Sequence, residues 1–230
     1  MNINKTHLAL IIALAAVGVP TLSFAQDVRK NYHTGLSVEG GTLGVGASLW
    51  HTINNSVSIN GGFNFFDFTY DLTTSDVDYR GKLKLSNIPL MLNWHPMKGA
   101  FRLVGGVVIA NNKVDVVARP GANATYDING TTYTAAQVGS LQGTGELAKG
   151  VAPYAGIGWL TRRDKKGFGF FSDVGVMFSG SPTVSLSASG PINNDATFQN
   201  NLSREVKKVN DEIEAAKVYP VIRFGLTYRM

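Results

Sequence analysis

The chain has no cysteine. No disulfide framework can hold it, so burial or membrane insertion must. Charge is also scarce. Asp, Glu, Lys and Arg make up 16% of 230 residues and the net charge is +5. No basic cluster with interleaved aromatics occurs, which excludes a nucleic-acid partner. No stretch after the first 25 residues nears the roughly 20 apolar residues of a spanning helix. The four histidines (His7, His33, His51, His95) lack ligand spacing, so no metal site is expected. There is no Gly-x-Ser-x-Gly elbow. "GVG" and "GTG" do not open a helix after a parallel strand, as a phosphate loop must. No enzyme and no cofactor are expected. No solenoid repeat and no low-complexity linker divides the chain.

The beginning is a leader. Residues 1–7 carry Lys5 and no acid, 8–19 are apolar, and Ser23 and Ala25 precede Gln26 at three and one residues. These are the three parts of a secretory signal, cleaved after Ala25. The apolar run is too short for a membrane anchor. Residues 26–230 then form a single domain with Lys5 gone and a net charge of +4. Gly is abundant, at 26 residues, and helix signals are few. An exported chain of this kind points to β-architecture.

Eight alternating segments follow: 32–39, 43–51, 57–70, 77–94, 100–117, 151–162, 167–180 and 218–230. In the seventh, Phe168, Phe170, Val174, Val176 and Phe178 share one face, and Phe171, Asp173 and several glycines share the other. The eighth sets Ile222, Phe224, Leu226 and Tyr228 against Arg223, Gly225, Thr227 and Arg229. In the fourth, Ile88, Leu90, Leu92 and Trp94 oppose Asn87, Pro89, Met91 and Asn93. A phase slip near Phe66 suggests a bulge or the end of a lipid-facing part.

One strand of this kind fits a soluble sandwich or, inside out, a membrane barrel. The connections decide. Links 53–56, 95–99 and 163–166 are short, whereas 71–76, 118–150 and 182–217 are longer. The short link 40–42 is the exception. Short turns at one rim and long loops at the other mark a transmembrane barrel with periplasmic turns and both termini periplasmic. The expected fold is all-β, an eight-stranded antiparallel outer-membrane barrel with a short helix in its last extracellular loop. That helix falls in 201–217, where Leu202, Val206, Val209, Ile213 and Ala216 recur at helical spacing. It acts as a lid, lies on the membrane surface, or packs on loop residues at the barrel mouth. In 118–150, Asn129-Gly130 between Thr/Tyr-rich arms reads as a hairpin.

The phases put Glu39, Trp50, Arg102, Tyr154, Asp173 and Arg223 in the lumen, with Arg229 in the same phase. An Arg facing hydrocarbon at the bilayer midplane costs roughly 2–4 kcal/mol. Inside, the charges either pair and fill a closed interior or line a narrow polar path. An eight-stranded barrel is just wide enough for side chains to fill.

"APYAGIGW", "GFFSDVGVMFSGSPTVSLS" and "NDEIEAAKVYPVIRFGLTYRM" occur in this order. With "GGTLGVGASLWH" and "YDINGTTYTAA" they resemble the CarO-type family, the ornithine-uptake, carbapenem-resistance-associated outer-membrane proteins of Gram-negative bacteria. The resemblance spans nearly all of 26–230. It implies an eight-stranded barrel passing basic amino acids such as ornithine, and carbapenems. Asp173 stands where the family has an inward acid. The chain departs from barrels that end in an aromatic, since it ends in Met230.

The function expected is a narrow passive channel for small basic or zwitterionic solutes. Glu39 and Asp173 would attract the ammonium group, and Arg102 and Arg223 the carboxylate. The alternatives are a non-conducting structural or surface-interaction barrel, and a carrier of apolar compounds. Expected partners are outer-membrane lipid and lipopolysaccharide, the barrel-assembly machinery and small solutes, with the chain a monomer.

Overall fold

A computed structural model of the chain describes residues 34–73, 77–121, 124–161 and 165–230. The leader, its cleavage point and His33 lie outside them. The first five strands are β1 (Thr34–Gly41), β2 (Gly44–Thr52), β3 (Val57–Thr73), β4 (Val77–Trp94) and β5 (Phe101–Pro120). A small hairpin follows, β6 (Thr125–Ile128) and β7 (Thr131–Thr134), then one helical turn, α1 (Ala135–Val138). The chain continues as β8 (Leu141–Leu160), β9 (Gly167–Phe178), β10 (Thr183–Ala188), α2 (Ala196–Ile213) and β11 (Val218–Arg229).

Eight of these strands pair in the order β8-β5-β4-β3-β2-β1-β11-β9, and β8 also pairs with β9, which closes the barrel. β10 pairs with the first part of β8, above the stretch that β9 occupies. All pairs are antiparallel. A circuit of partners runs Phe101–Trp159–Ser172–Phe224–Gly40–Val45–Phe65–Ser86. It returns to β5 about ten residues above its start, and that stagger is what tilts the strands of a closed barrel. Strands about 4.8 Å apart, tilted by about 40°, give eight of them a backbone radius of about 8 Å.

The greasy phase points outward. Leu36, Val38, Leu49, Phe63, Phe65, Leu90, Leu92, Phe170, Val174, Phe224 and Leu226 are all exposed. An apolar band of this extent does not stay in water. Facing hydrocarbon it becomes the buried side of an outer-membrane barrel. Trp94, Trp159, Phe168 and Tyr228 gather at the short-turn end. Phe101 meets Trp159 edge-on at 5.7 Å, and Phe168 and Tyr228 lie 5.0 Å apart. This is one aromatic girdle.

The short turns are locally encoded. Asn54 Oδ1 accepts from the backbone N–H of Ser56 and Val57 at 2.8 and 2.9 Å, which folds the β2–β3 turn. Asn129 and Gly130 have φ of 52° and 76°, as the expected hairpin turn requires.

Several boundaries move. The sixth segment begins at Leu141 rather than 151, because the register slips between Asn112 and Lys113 of β5 and their partners in β8. The bulge reverses the odd–even phase, so residues 141–146 of β8 do not continue the alternation of the rest. The slip near Phe66 is no bulge. β3 and β4 keep one register through Phe66↔Leu85 to Thr73↔Asp78. The membrane-facing part ends there and both strands continue beyond it. The link 71–76 shortens accordingly.

The loop helix begins earlier, at Ala196, where Asp195 caps it by accepting from Phe198 N–H at 2.8 Å. Its anchor is Phe198. With Leu202 it packs on Ile128, Tyr133, Val138 and Ala188. Val206, Val209 and Ile213 are only half-buried, and Ala216 lies past the helix and is exposed. The helix is therefore packed on the loop hairpin at the barrel mouth.

Two outcomes follow. Phe224→Arg on the outer face should cost about 2–4 kcal/mol in urea titrations of the bilayer-inserted barrel. Phe198→Ala should cost about 3–5 kcal/mol of local packing and speed proteolysis of 182–217. Because Phe198 lies outside the wall, heat-modifiable gel mobility should be unchanged.

Candidate functional site

The inward phase carries polar groups from every strand of the wall. Arg102 lies low on β5, next to Gly158 of β8, which pairs with Asp173 of β9. Asp173 pairs in turn with Arg223 of β11. The register thus sets three charges from neighbouring strands side by side. Glycine makes the room: a Cβ on Gly158 would lie 2.7 Å from Ser172 O and 3.0 Å from Arg102 Nε.

The groups form one network. Arg102 Nη2 donates to Asp173 Oδ1 at 2.5 Å. Arg223 Nη1 stands 3.5 Å from Asp173 Oδ2, an ion pair without hydrogen-bond geometry. Arg223 Nη2 donates to both carboxylate oxygens of Glu39 at 2.9 Å. Ser48 Oγ donates to Glu39 Oε2 at 3.0 Å. At the other end Arg102 Nη1 donates to Asn93 Oδ1 at 2.9 Å, and Asn93 Nδ2 to Asn60 Oδ1 at 2.9 Å. The network reaches across the lumen from β2 and β1 to β4 and β3.

Aromatic faces complete it. The Arg102 guanidinium lies 4.7 Å from the centre of the Trp50 ring and 5.6 Å from that of Phe171. Arg223 lies 5.6 Å from Phe171. Trp50 Nε1 donates to Ser37 Oγ at 2.8 Å. Arginine stacks this way because it is planar and weakly hydrated. Side chains of the two acids and two arginines are 0–1% exposed. Their charges cancel within the network.

Five of the six residues singled out from the sequence therefore meet: Glu39, Arg102, Asp173 and Arg223 as ion pairs, and Trp50 as a stacking face. Tyr154 is inward and buried but stands apart. Its hydroxyl lies over Gly156 and Gly175 and has no hydrogen-bond partner among the described residues. It joins an apolar layer with Leu43, Met91, Val104, Val108, Met177 and Val221. That layer packs the lumen where an apolar carrier would need a pocket.

Sequence reasoning missed the amides. Asn60 and Asn64 on β3, Asn87 and Asn93 on β4, and Asn112 on β5 are all buried inside. Asn87 Nδ2 donates to Asn112 Oδ1 and to Leu43 O, each at 2.9 Å. The phase of β4 already set Asn87 and Asn93 opposite the lipid face, so the signal existed. Phe171 was legible in the same way.

Removing one charge should expose the balance. Asp173→Asn leaves two buried arginines short of a partner and should cost about 3–5 kcal/mol in urea titrations of the refolded barrel. Asp115, half-exposed and 3.9 Å from Lys84, is the control. Asp115→Asn should stay within about 0.5 kcal/mol.

No protein-family model matches the chain, and no curated protein matches it. Solved structures do. The crystal structure of Acinetobacter baumannii CarO2 has a TM-score of 0.60 at 22% identity and covers 88% of this chain and 100% of its own. That of Acinetobacter baumannii CarO gives the same score and identity over 87% of this chain and 100% of its own. In fold the chain is a CarO-like eight-stranded barrel, the fold that the sequence resemblance implied.

Proposed function

We propose that this outer-membrane barrel is closed at rest and does its work on its extracellular side. One observation carries the reading. Four ionised side chains, held by each other and by Trp50, Phe171 and Ser48, fill the lumen at one level with 0–1% exposure. In a barrel of about 8 Å radius such a layer leaves no space for a solute. The acids meant to greet an ammonium group already hold guanidinium groups.

A second reading has its own support. Asn64 Nδ2 and Oδ1, Asn87 Oδ1, Asn112 Nδ2 and Tyr154 Oη have no hydrogen-bond partner among the described residues. A buried polar group left unpaired costs about 1–3 kcal/mol. Hydration of the lumen would relieve that cost. A gated path for small basic or zwitterionic amino acids such as ornithine would then run along these amides, once Arg223 releases Glu39.

Swelling of liposomes holding the refolded 26–230 barrel separates the two. The closed barrel predicts no swelling in ornithine, arginine, glutamate or glucose, with heat-modifiable mobility proving the fold. Faster swelling in ornithine than in glutamate, lost on Glu39→Gln, would overturn the closed reading in favour of the gated path.

A further inference from the structure

The wall does not stop at the membrane. A spanning barrel strand needs about 9–11 residues. β3 has 17, β4 18, β5 20 and β8 20. Their upper halves stand outside as an open sheet, which β10 extends on one side.

The two edges of that sheet are treated differently. On the β10 side, α2 covers the edge. Asn210 Oδ1 accepts from Val184 N–H at 2.7 Å, and Asn210 Nδ2 donates to Val184 O at 3.0 Å. One side-chain amide thus takes the place of a neighbouring strand. On the β3 side nothing comparable occurs among the described residues. β2 pairs with β3 only as far as Val45↔Phe65. Beyond it, among the described residues, no strand lies on that side of β3, and Phe65 to Thr73 are all exposed. Natural sheets commonly blunt such an edge, because it is a template for pairing.

The free strand has two distinct faces. Phe66, Phe68, Tyr70 and Leu72 share the phase that faces the lumen lower down, and all four are exposed. The rings of Phe66 and Phe68 stack 6.1 Å apart. Asp67 and Asp71 lie on the other face. β4 shows what such a strand selects. Lys82 Nζ stands 3.1 Å from Asp67 Oδ2, and Arg80 Nε 2.6 Å from Asp71 Oδ1. On either side of these bases β4 sets Tyr79 and Leu83 in the opposite phase, opposite Leu72 and Phe68, with Gly81 between them. The acids remain 56% and 60% exposed. Unlike the lumen acids they keep free surface beside their partners, so a base on a strand at the free side can reach them.

We propose that Phe66–Thr73 of β3 is a β-augmentation site for an extended extracellular polypeptide segment in which basic and apolar residues alternate. Backbone pairing would supply affinity, and the acidic and aromatic faces the pattern selected. A second copy in the same membrane does not fit. A two-fold axis along the membrane normal sets the two β3 strands parallel with their faces reversed. The acids of one copy would then share a face with the aromatics of the other. This inference deepens the extracellular reading above and rests on it.

The test uses the refolded 26–230 barrel in zwitterionic nanodiscs and two octapeptides. One alternates Lys with Val and Phe; the other has Glu for each Lys. The Lys peptide should bind at least about tenfold more tightly than the Glu peptide. Hydrogen exchange at the amides of 66–73 should slow on its addition. Asp67→Lys/Asp71→Lys should lose that preference while gel mobility still shows a folded barrel. Equal binding of both peptides, an unchanged preference in the double variant, or protection only elsewhere would overturn the proposal. So would slow exchange at 66–73 without peptide in a preparation that runs as a dimer. Swelling is read separately: a conducting barrel that still binds the Lys peptide would overturn the closed lumen and uphold the edge site.

Discussion

A strand in hydrocarbon can send its peptide groups only to another strand. Each one left unpaired there costs several kcal/mol. That constraint closes β8 onto β9 and makes the wall continuous. Closure demands stagger, and stagger tilts the strands. That stagger sets Arg102, near the start of its strand, beside Asp173 and Arg223, near the middles of theirs. The charge network is thus a consequence of how the wall closes.

Inside, the balance shifts from backbone to side chains. The lumen is too narrow for bulk water, so each buried charge needs a fixed partner. Glu39 and Asp173 answer Arg223 and Arg102, and the rings of Trp50 and Phe171 take the faces of the guanidiniums. Some polar atoms remain unmatched among the described residues, on the Asn-lined side and within the charge network alike. A wall so strongly determined by its backbone can tolerate an interior that is not fully satisfied. Solute passage, if the network parts, would use that reserve.

Above the membrane the constraint lapses. Water satisfies a free edge, so an open sheet becomes possible. Exposed pairs such as Arg80–Asp71 and Lys149–Glu146 run up its strands. The Lys149 hydrogen bond holds the Glu146 carboxyl below its usual range. Exposed pairs of this kind add little stability. They do fix which face is charged. α2 and the β6–β7 hairpin close one end of the sheet around Phe198, and β3 is left bare at the other.

Much of this was written in the sequence. Period-two alternation fixed which side of Gly167–Phe178 meets lipid and set Asp173 inward, because successive side chains point to opposite faces whatever the strand pairs with. Asn129-Gly130 announced its hairpin through equally local rules. Tertiary structure decided what local rules cannot see. The β8 bulge hid the start of that strand, because it inverts the phase that alternation relies on. The partners of Arg102 and Arg223 depend on stagger, a property of the closed circuit and of no single strand. Phe198 rather than Val206 anchors α2 because the hairpin stands there. The bare edge of β3 exists only because β2 ends at Gly44, and a strand's own sequence does not record where its neighbour stops.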